Sequence, residues 1–243
     1  MKRRMLRNAA IGVLISFSLL IAAAVFTKRH ALACEFLPLM GYAQLNSQLF
    51  IAPDGSPSQF EDVLNLFSSA GRRIGDVYGQ PDSKPIFLIT VDAETARRWG
   101  ANETASMHRL PWGSCVIIGP EGLNVDVIAH EWLHAEIQHR LGFWNFLKEM
   151  PVWFDEGAAL TLDYREPFIP GNIELSDQKI NEIQHRVNGQ DFFSGDIREN
   201  YQAARMAVDP LITKETFFQD LQRIADGEAF DVVFLRANER WQR

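Results

Sequence analysis

The most informative stretch of the chain is Val125-Asp-Val-Ile-Ala-His-Glu-Trp-Leu-His-Ala-Glu-Ile-Gln-His-Arg-Leu141, which contains the pattern His-Glu-x-x-His. Its apolar residues are spread around much of a helix, which predicts a helix buried on several sides. His130 and His134 are four residues apart, so they project from one helix face and can bind the same ion. Zinc suits this pair, because it binds neutral imidazole and needs only three protein ligands in a catalytic site.

Glu131 lies between the two histidines and is expected to act as the general base. It is close enough to reach a metal-bound water without binding the ion itself. A third ligand must come from outside this helix. The metzincin extension of the motif would need glycine at position 137 and histidine at position 140, where the chain has Ile137 and Arg140. That class of peptidase is therefore excluded.

The segment Pro151-Val-Trp-Phe-Asp-Glu-Gly-Ala-Ala-Leu-Thr-Leu-Asp163 predicts a second helix with Glu156 in its first turns. A connection of about ten residues lets this helix return and face the first one. Glu156 can then complete the metal site. Asp155 points about 100° away on a helix and is only a fallback ligand.

His130-Glu131-x-x-His134, followed after a spacer by Trp153-Phe154-x-Glu156-Gly157-x-Ala159, resembles the gluzincin zinc metallopeptidases, and within them the peptidase MA-like domains. The resemblance implies a zincin-like metallopeptidase domain in which His130, His134 and Glu156 bind one catalytic zinc ion and Glu131 is the catalytic base. It covers residues 85–235 and is most specific over 125–163. The spacer before the glutamate is longer than in the large aminopeptidases, and their Gly-x-Met-Glu-Asn motif is missing, so aminopeptidase specificity is not supported.

The developing oxyanion needs a second donor besides the metal. Residues 199–208 resemble the tyrosine-bearing helix of peptidase MA-like domains, which makes Tyr201 the first candidate. Tyr164, His139 and His185 are the alternatives. Asp163 lies seven residues after Glu156 and can hold a ligand histidine in its tautomer, or it can be a solvated or capping residue.

The chain begins with a basic and apolar segment. Its apolar run, residues 9–26, reaches the lower limit for crossing a bilayer, and more basic charge precedes than follows it. We therefore expect a signal anchor or signal peptide at 1–33, a juxtamembrane connector at 34–55 and the peptidase domain at 56–243. The protein would be a single-pass membrane protein with a cytoplasmic N-terminus and an extracytoplasmic catalytic domain, or a secreted protein if the signal is cleaved after Ala31-Leu32-Ala33.

Charge and cysteine content limit the partners. Residues 34–243 hold 18 basic and all 31 acidic residues, a net charge of −13, which argues against nucleic acid. Cys34 and Cys115 can pair in an oxidising compartment, or their occurrence can be coincidental.

Short apolar runs predict strands at 48–52, 85–91 and 114–118, and helical spacing predicts further helices from residue 57 and at 92–99, 176–188, 199–208, 214–225 and 228–237. The expected fold class is α+β, with a small mixed sheet and an active-site helix pair preceded by one transmembrane helix. The strand at 114–118 is expected either to offer its free edge to an extended peptide or to be an ordinary core strand.

Together these features predict a membrane-tethered or exported zinc metallopeptidase, an endopeptidase that hydrolyses peptide bonds through a zinc-bound water activated by Glu131. Its partners would be a protein or peptide substrate and, through residues 9–26, the membrane. The alternative is a non-catalytic peptidase-like binding or assembly module at the membrane. Glu131 favours the enzyme, because a structural zinc site needs no base. Hydrolysis of a non-peptide amide is a third possibility.

Overall fold

The fold is built around a five-stranded mixed sheet, seen in a computed structural model that describes residues 11, 15, 16, 18, 19, 22, 23, 25–52 and 57–235. The strands are β1 (Ala43–Gln44), β2 (Leu49–Ile51), β3 (Ile86–Ile89), β4 (Ala105–Leu110) and β5 (Gly113–Ile118). Their spatial order is β1-β2-β3-β5-β4. β2, β3 and β5 run parallel, whereas β1 and β4 are antiparallel to their neighbours. β4 is therefore an edge strand.

Helices make up most of the remaining regular structure in the described ranges. They are α1 (Arg29–Cys34), α2 (Pro57–Tyr78), α3 (Ala93–Arg98), α4 (Val125–Leu141), α5 (Phe143–Glu149), α6 (Val152–Leu160), α7 (Asp177–Glu182), α8 (Gly189–Phe192), α9 (Ile197–Val208) and α10 (Phe217–Ala225). Short 3-10 turns occur at Leu37–Met40, Pro120–Gly122, Glu166–Phe168, Pro170–Asn172 and Ile183–His185, and a π-helix spans Asp231–Leu235.

Helices cover both faces of the sheet. Parallel neighbours need crossover connections, and α2 supplies the one between β2 and β3 while α3 lies between β3 and β4. On one face, α2 and α4 pack on the sheet in the larger core, and most of the later helices join them there. On the other face, Leu88, Cys115 and Ile117 pack against Cys34 and Trp99. The structure contains a disulfide between Cys34 and Cys115, which ties the N-terminal side of the domain to β5.

The predicted α+β fold class is wrong. The sheet contains a parallel core with helices on both of its faces, which makes the fold a mixed α/β arrangement. The physical reason is that residues 29–51, predicted to be an N-terminal segment and a connector, contribute α1, β1 and β2 to the sheet and its second layer.

The predicted transmembrane helix is also corrected. In the part of the chain that the structure describes, no helix combines the length and the apolar character needed to cross a membrane. Half of the predicted span, residues 9–26, lies outside the described residues. This finding contradicts the predicted single-pass location.

Two strands and three helices have no counterpart among the predicted elements, whereas α4 has the predicted bounds. They are β1, β4, α1, α5 and α8. The strand predicted at 114–118 exists as β5, but it pairs with β3 on one side and β4 on the other. Of the two alternatives for this strand, the free edge is therefore wrong and the core strand is confirmed, and β4 has the edge position.

Candidate metal centre

Helix α4 carries the two histidines of the candidate site. It begins after Asn124, whose side-chain oxygen accepts a hydrogen bond from the Val127 N–H at 3.0 Å, and it ends at Gly142, where φ is 73°. This cap satisfies one of the free N–H groups of the first turn. His130 and His134 are both buried on this helix, one turn apart.

Helix α6 brings the predicted third ligand, Glu156, to the same place. The short helix α5 and Pro151 reverse the chain after α4, so that α6 packs against α4 on one side and α9 on the other. Gly157 allows the close approach to α9, because a Cβ atom there would lie 2.6 Å from Val208 Cγ2 and closer still to the Ala204 carbonyl oxygen. The glycine after Glu156 therefore has a packing role.

The three predicted ligands converge. Nε2 of His134 lies 3.1 Å from Nε2 of His130, and Oε2 of Glu156 lies 3.5 Å from His130 Nε2 and 3.4 Å from His134 Nε2. Two donor atoms that each lie 2.0–2.1 Å from one ion at tetrahedral angles are about 3.3–3.4 Å apart. The triangle formed by these atoms thus fits a zinc ion bound by two imidazoles and one carboxylate.

Asp155 lies beside one of the candidate ligands. Its Oδ1 lies 2.9 Å from Nδ1 of His134, and its Oδ2 accepts a hydrogen bond from Nη2 of Arg109 at 2.9 Å. A carboxylate at Nδ1 favours the tautomer that carries its proton there, which leaves the Nε2 lone pair directed towards His130 and Glu156. Lone pairs that converge at these distances repel one another unless a cation lies between them, so the chemistry of the donor set also fits a metal.

Asp163, for which this orienting role was one of two alternatives, does not have it. The side chain of Asp163 is paired with Arg165, and the Arg165 backbone N–H donates to it as well. Asp155, predicted only as a fallback ligand, instead contacts the ring nitrogen of His134 that faces away from Glu156.

The charges around the ligands shift their protonation. Burial acts to lower the pKa of His134, but the carboxylates of Asp155 and Glu156 outweigh it and raise that pKa well above its usual value. Burial acts to raise the pKa of Glu156, but the charge of His134 and the hydrogen bonds from both histidines hold that pKa well below its usual range. Both directions show that the carboxylates of Asp155 and Glu156 favour positive charge at this position.

Glu131 lies in a cleft beside the three ligands. The cleft has a volume of about 460 Å³ and is bordered by the edge strand β4 and by α4, α5 and α6. Burial raises the pKa of Glu131, and the nearby His134 and His130 only partly oppose that rise. A half-buried carboxyl whose pKa is raised is suited to accept and return a proton.

Tyr201 lines the same cleft from α9. Burial raises the pKa of its hydroxyl, and the charges of Glu156 and Glu131 raise it further, so the hydroxyl stays a hydrogen-bond donor. The three alternatives predicted beside it do not line the cleft. Tyr164 is exposed and stacks on Arg73, and His139 and His185 are exposed.

Sequence reasoning missed one residue of the site and assigned another to the wrong role. Arg109 gives no local signal of a role, because it lies in a strand that was not predicted. Asp155 is adjacent to Glu156, and the 100° between neighbouring helical residues was the available hint that it points to the other ring nitrogen of a bound histidine.

No family model, curated protein or solved structure matches this chain. Its activity must therefore be inferred from the site itself.

Proposed function

We propose that this chain is a zinc-dependent peptidase that cleaves internal peptide bonds. The observation that carries the proposal is the convergence of His130, His134 and Glu156 to within 3.5 Å of one another, with Glu131 in the same cleft. Among the described residues the cluster offers three ligand side chains. Structural zinc sites use four protein ligands, whereas catalytic sites use three and keep one position open.

Zinc and the residues around the metal position would have different roles in the reaction. Zinc held there would supply a Lewis acid that polarises a carbonyl group and makes water more acidic. Glu131 would take the proton from the attacking water and return it to the leaving amine. The Tyr201 hydroxyl would donate a hydrogen bond to the oxygen on which negative charge develops.

The edge strand β4 supports a peptide as the substrate. Its side facing away from β5 has no paired strand among the described residues, and Ala105, Ser106 and Met107 line the cleft. An extended peptide can add to such an edge through backbone hydrogen bonds and place alternate side chains in pockets. Phe146, Met150 and Val152 give the cleft an apolar wall for one of these side chains.

The test combines metal content with cleavage of an unbiased peptide library by the full-length chain. We expect the wild type to retain zinc and to cleave internal bonds. Glu131→Gln should retain zinc but lose cleavage by at least about 100-fold, because it removes the proton acceptor and keeps the shape. Glu156→Ala should weaken zinc binding by about 10-fold or more.

Glu121→Gln is the matched control, because it makes the same chemical change at an exposed residue outside the cleft. It should retain both zinc and cleavage. A wild type that binds zinc but cleaves no peptide, with Glu131→Gln indistinguishable from it, would contradict the peptidase proposal. Cleavage that survives complete removal of metal would contradict it as well.

A further inference from the structure

A chain of three side chains connects the edge strand β4 to a metal ligand. Nη2 of Arg109 donates to Oδ2 of Asp155 at 2.9 Å, and Oδ1 of Asp155 lies 2.9 Å from Nδ1 of His134. Each carboxylate oxygen of Asp155 therefore lies 2.9 Å from one side-chain nitrogen atom. One nitrogen belongs to the ligand histidine and the other to the arginine.

Asp155 depends on Arg109 for its charge balance. The Asp155 side chain is 5% exposed, and a carboxylate this deeply buried is costly unless a cation or several donors accompany it. Arg109 is the permanently charged group in contact with it among the described residues. A charge-assisted bond of this kind is shorter and stronger than a neutral one, so it also fixes the direction of the carboxylate.

Arg109 is itself held from two further directions. Its backbone belongs to β4, where it pairs with Ser114 of β5, and its guanidinium lies 4.6 Å from the centre of the Phe146 ring on α5. Stacking of the planar guanidinium on an aromatic ring restricts its orientation. The side chain is only 26% exposed.

We propose that Arg109 is a positioning residue for the metal centre: through Asp155 it holds the His134 ring so that Nε2 faces His130 and Glu156. This inference rests on the proposed function, since it concerns the same metal site. Arg109 would also connect the substrate-binding edge of the cleft to the metal position. It belongs to β4, the strand expected to bind the substrate backbone, and it would orient a metal ligand.

Zinc affinity of the full-length chain tests this role. Arg109→Met keeps most of the apolar stem and removes the charge and the donors. We expect it to weaken zinc binding by about 10- to 100-fold in competition with a chromophoric chelator, as for other residues that support metal ligands. It should also change the visible absorption of the cobalt-substituted protein. Arg109→Lys should weaken zinc binding less, because it keeps the positive charge, but it should still weaken it, since a point charge cannot reproduce the planar fork.

Arg140→Met is the matched control. Arg140 also binds a buried carboxylate, with its Nε 2.6 Å from Glu136 Oε1, and also stacks on a ring, 3.9 Å from the centre of Phe218. Its side chain is 18% exposed, but it does not line the cleft of the metal centre. We expect Arg140→Met to lower the free energy of unfolding while leaving zinc affinity and the cobalt spectrum unchanged.

A double-mutant cycle separates action through Asp155 from an independent effect. Asp155→Asn alone should weaken zinc binding, and adding Arg109→Met to it should change the affinity by less than about twofold. Additive losses would overturn the inference, as would wild-type affinity in folded Arg109→Met. If Arg109→Met does not fold, unchanged affinity in Arg109→Lys overturns it. A wild type that binds neither zinc nor cobalt would instead overturn the proposed function and this inference together.

Discussion

Replacement of Gly157 by alanine should disturb both the fold and the metal centre. The added Cβ atom would lie 2.6 Å from Val208 Cγ2 and 2.8 Å from the carbonyl carbon of Ala204, whereas ordinary contacts begin at 3.4 Å. Helices α6 and α9 must therefore separate by at least 0.8 Å. A backbone carbonyl cannot rotate away as a side chain can, so we take the upper part of the range for overpacking, about 3 kcal/mol.

Alanine also has the higher helix propensity, which offsets about 1 kcal/mol of this cost. The expected net loss is thus about 2 kcal/mol in the free energy of unfolding, measured by urea denaturation of the metal-free protein. Glu156 precedes Gly157 directly, and Tyr201 lies on the helix that must move. A displacement of about 1 Å in such groups can lower activity by about 100-fold, so zinc affinity and peptide cleavage should fall together.

Gly171→Ala provides the control for Gly157→Ala. An added Cβ at position 171 meets no atom within 4 Å. The free energy of unfolding of Gly171→Ala should stay within about 0.5 kcal/mol of that of the wild type. If Gly157→Ala is as stable as the wild type and binds zinc equally well, then α6 and α9 do not pack as closely as described, and the reason given for the glycine fails.

Three further outcomes follow from the structure. Reduction of the Cys34–Cys115 disulfide should lower the free energy of unfolding by about 4 kcal/mol, because the bond closes a loop across a separation of 81 residues. Urea titrations with and without a phosphine reductant measure this change, and an unchanged midpoint would contradict it. Asn124→Ala should cost about 1 kcal/mol in the same titration, because the Val127 N–H loses its acceptor, while Asn124→Asp should retain most of the stability. Zinc at about 100 times its Kd should add about 2.7 kcal/mol to the free energy of unfolding of the wild type, and the corresponding rise in Tm should shrink or vanish in Glu156→Ala.

The ligand-bearing helices could be predicted because their signals are local. The spacing of His130 and His134 depends on α4 alone, and the structure has this helix at Val125–Leu141 as expected. Glu156 needed one further step, the return of the chain through a short connection. The structure brings it to within 3.5 Å of both histidines.

β4 could not be predicted because its burial pattern is not that of an alternating strand. Of its six residues only Ala105 and Leu110, the first and the last, are buried, and the four between them are half-buried. Period-two alternation is the signal by which a half-buried strand is recognised, and here it is missing. The role of Arg109 was not predicted either, because its strand was missed. Its contact with Asp155 also joins residues 46 positions apart, which no local pattern indicates.

The orienting role considered for Asp163 fails for a different reason. A separation of seven residues places two side chains on the same face only while the helix continues. α6 ends at Leu160, three residues before Asp163, so the helical spacing counted from Glu156 no longer applies there. Asp163 turns instead to Arg165.

Adjacent residues on α6 contact opposite nitrogen atoms of one imidazole ring. Oε2 of Glu156 lies 3.4 Å from Nε2 of His134, and Oδ1 of Asp155 lies 2.9 Å from Nδ1 of the same ring. A rotation or shift of α6 therefore moves a ligand away from the metal position and at the same time releases the ring that carries another ligand. The contact at Gly157 fixes the position of α6 against α9, and the bond to Arg109 fixes Asp155. These two restraints therefore hold the same helix from different sides. Loss of either restraint should consequently weaken metal binding through both ligands at once, which a site built from independent side chains would not do.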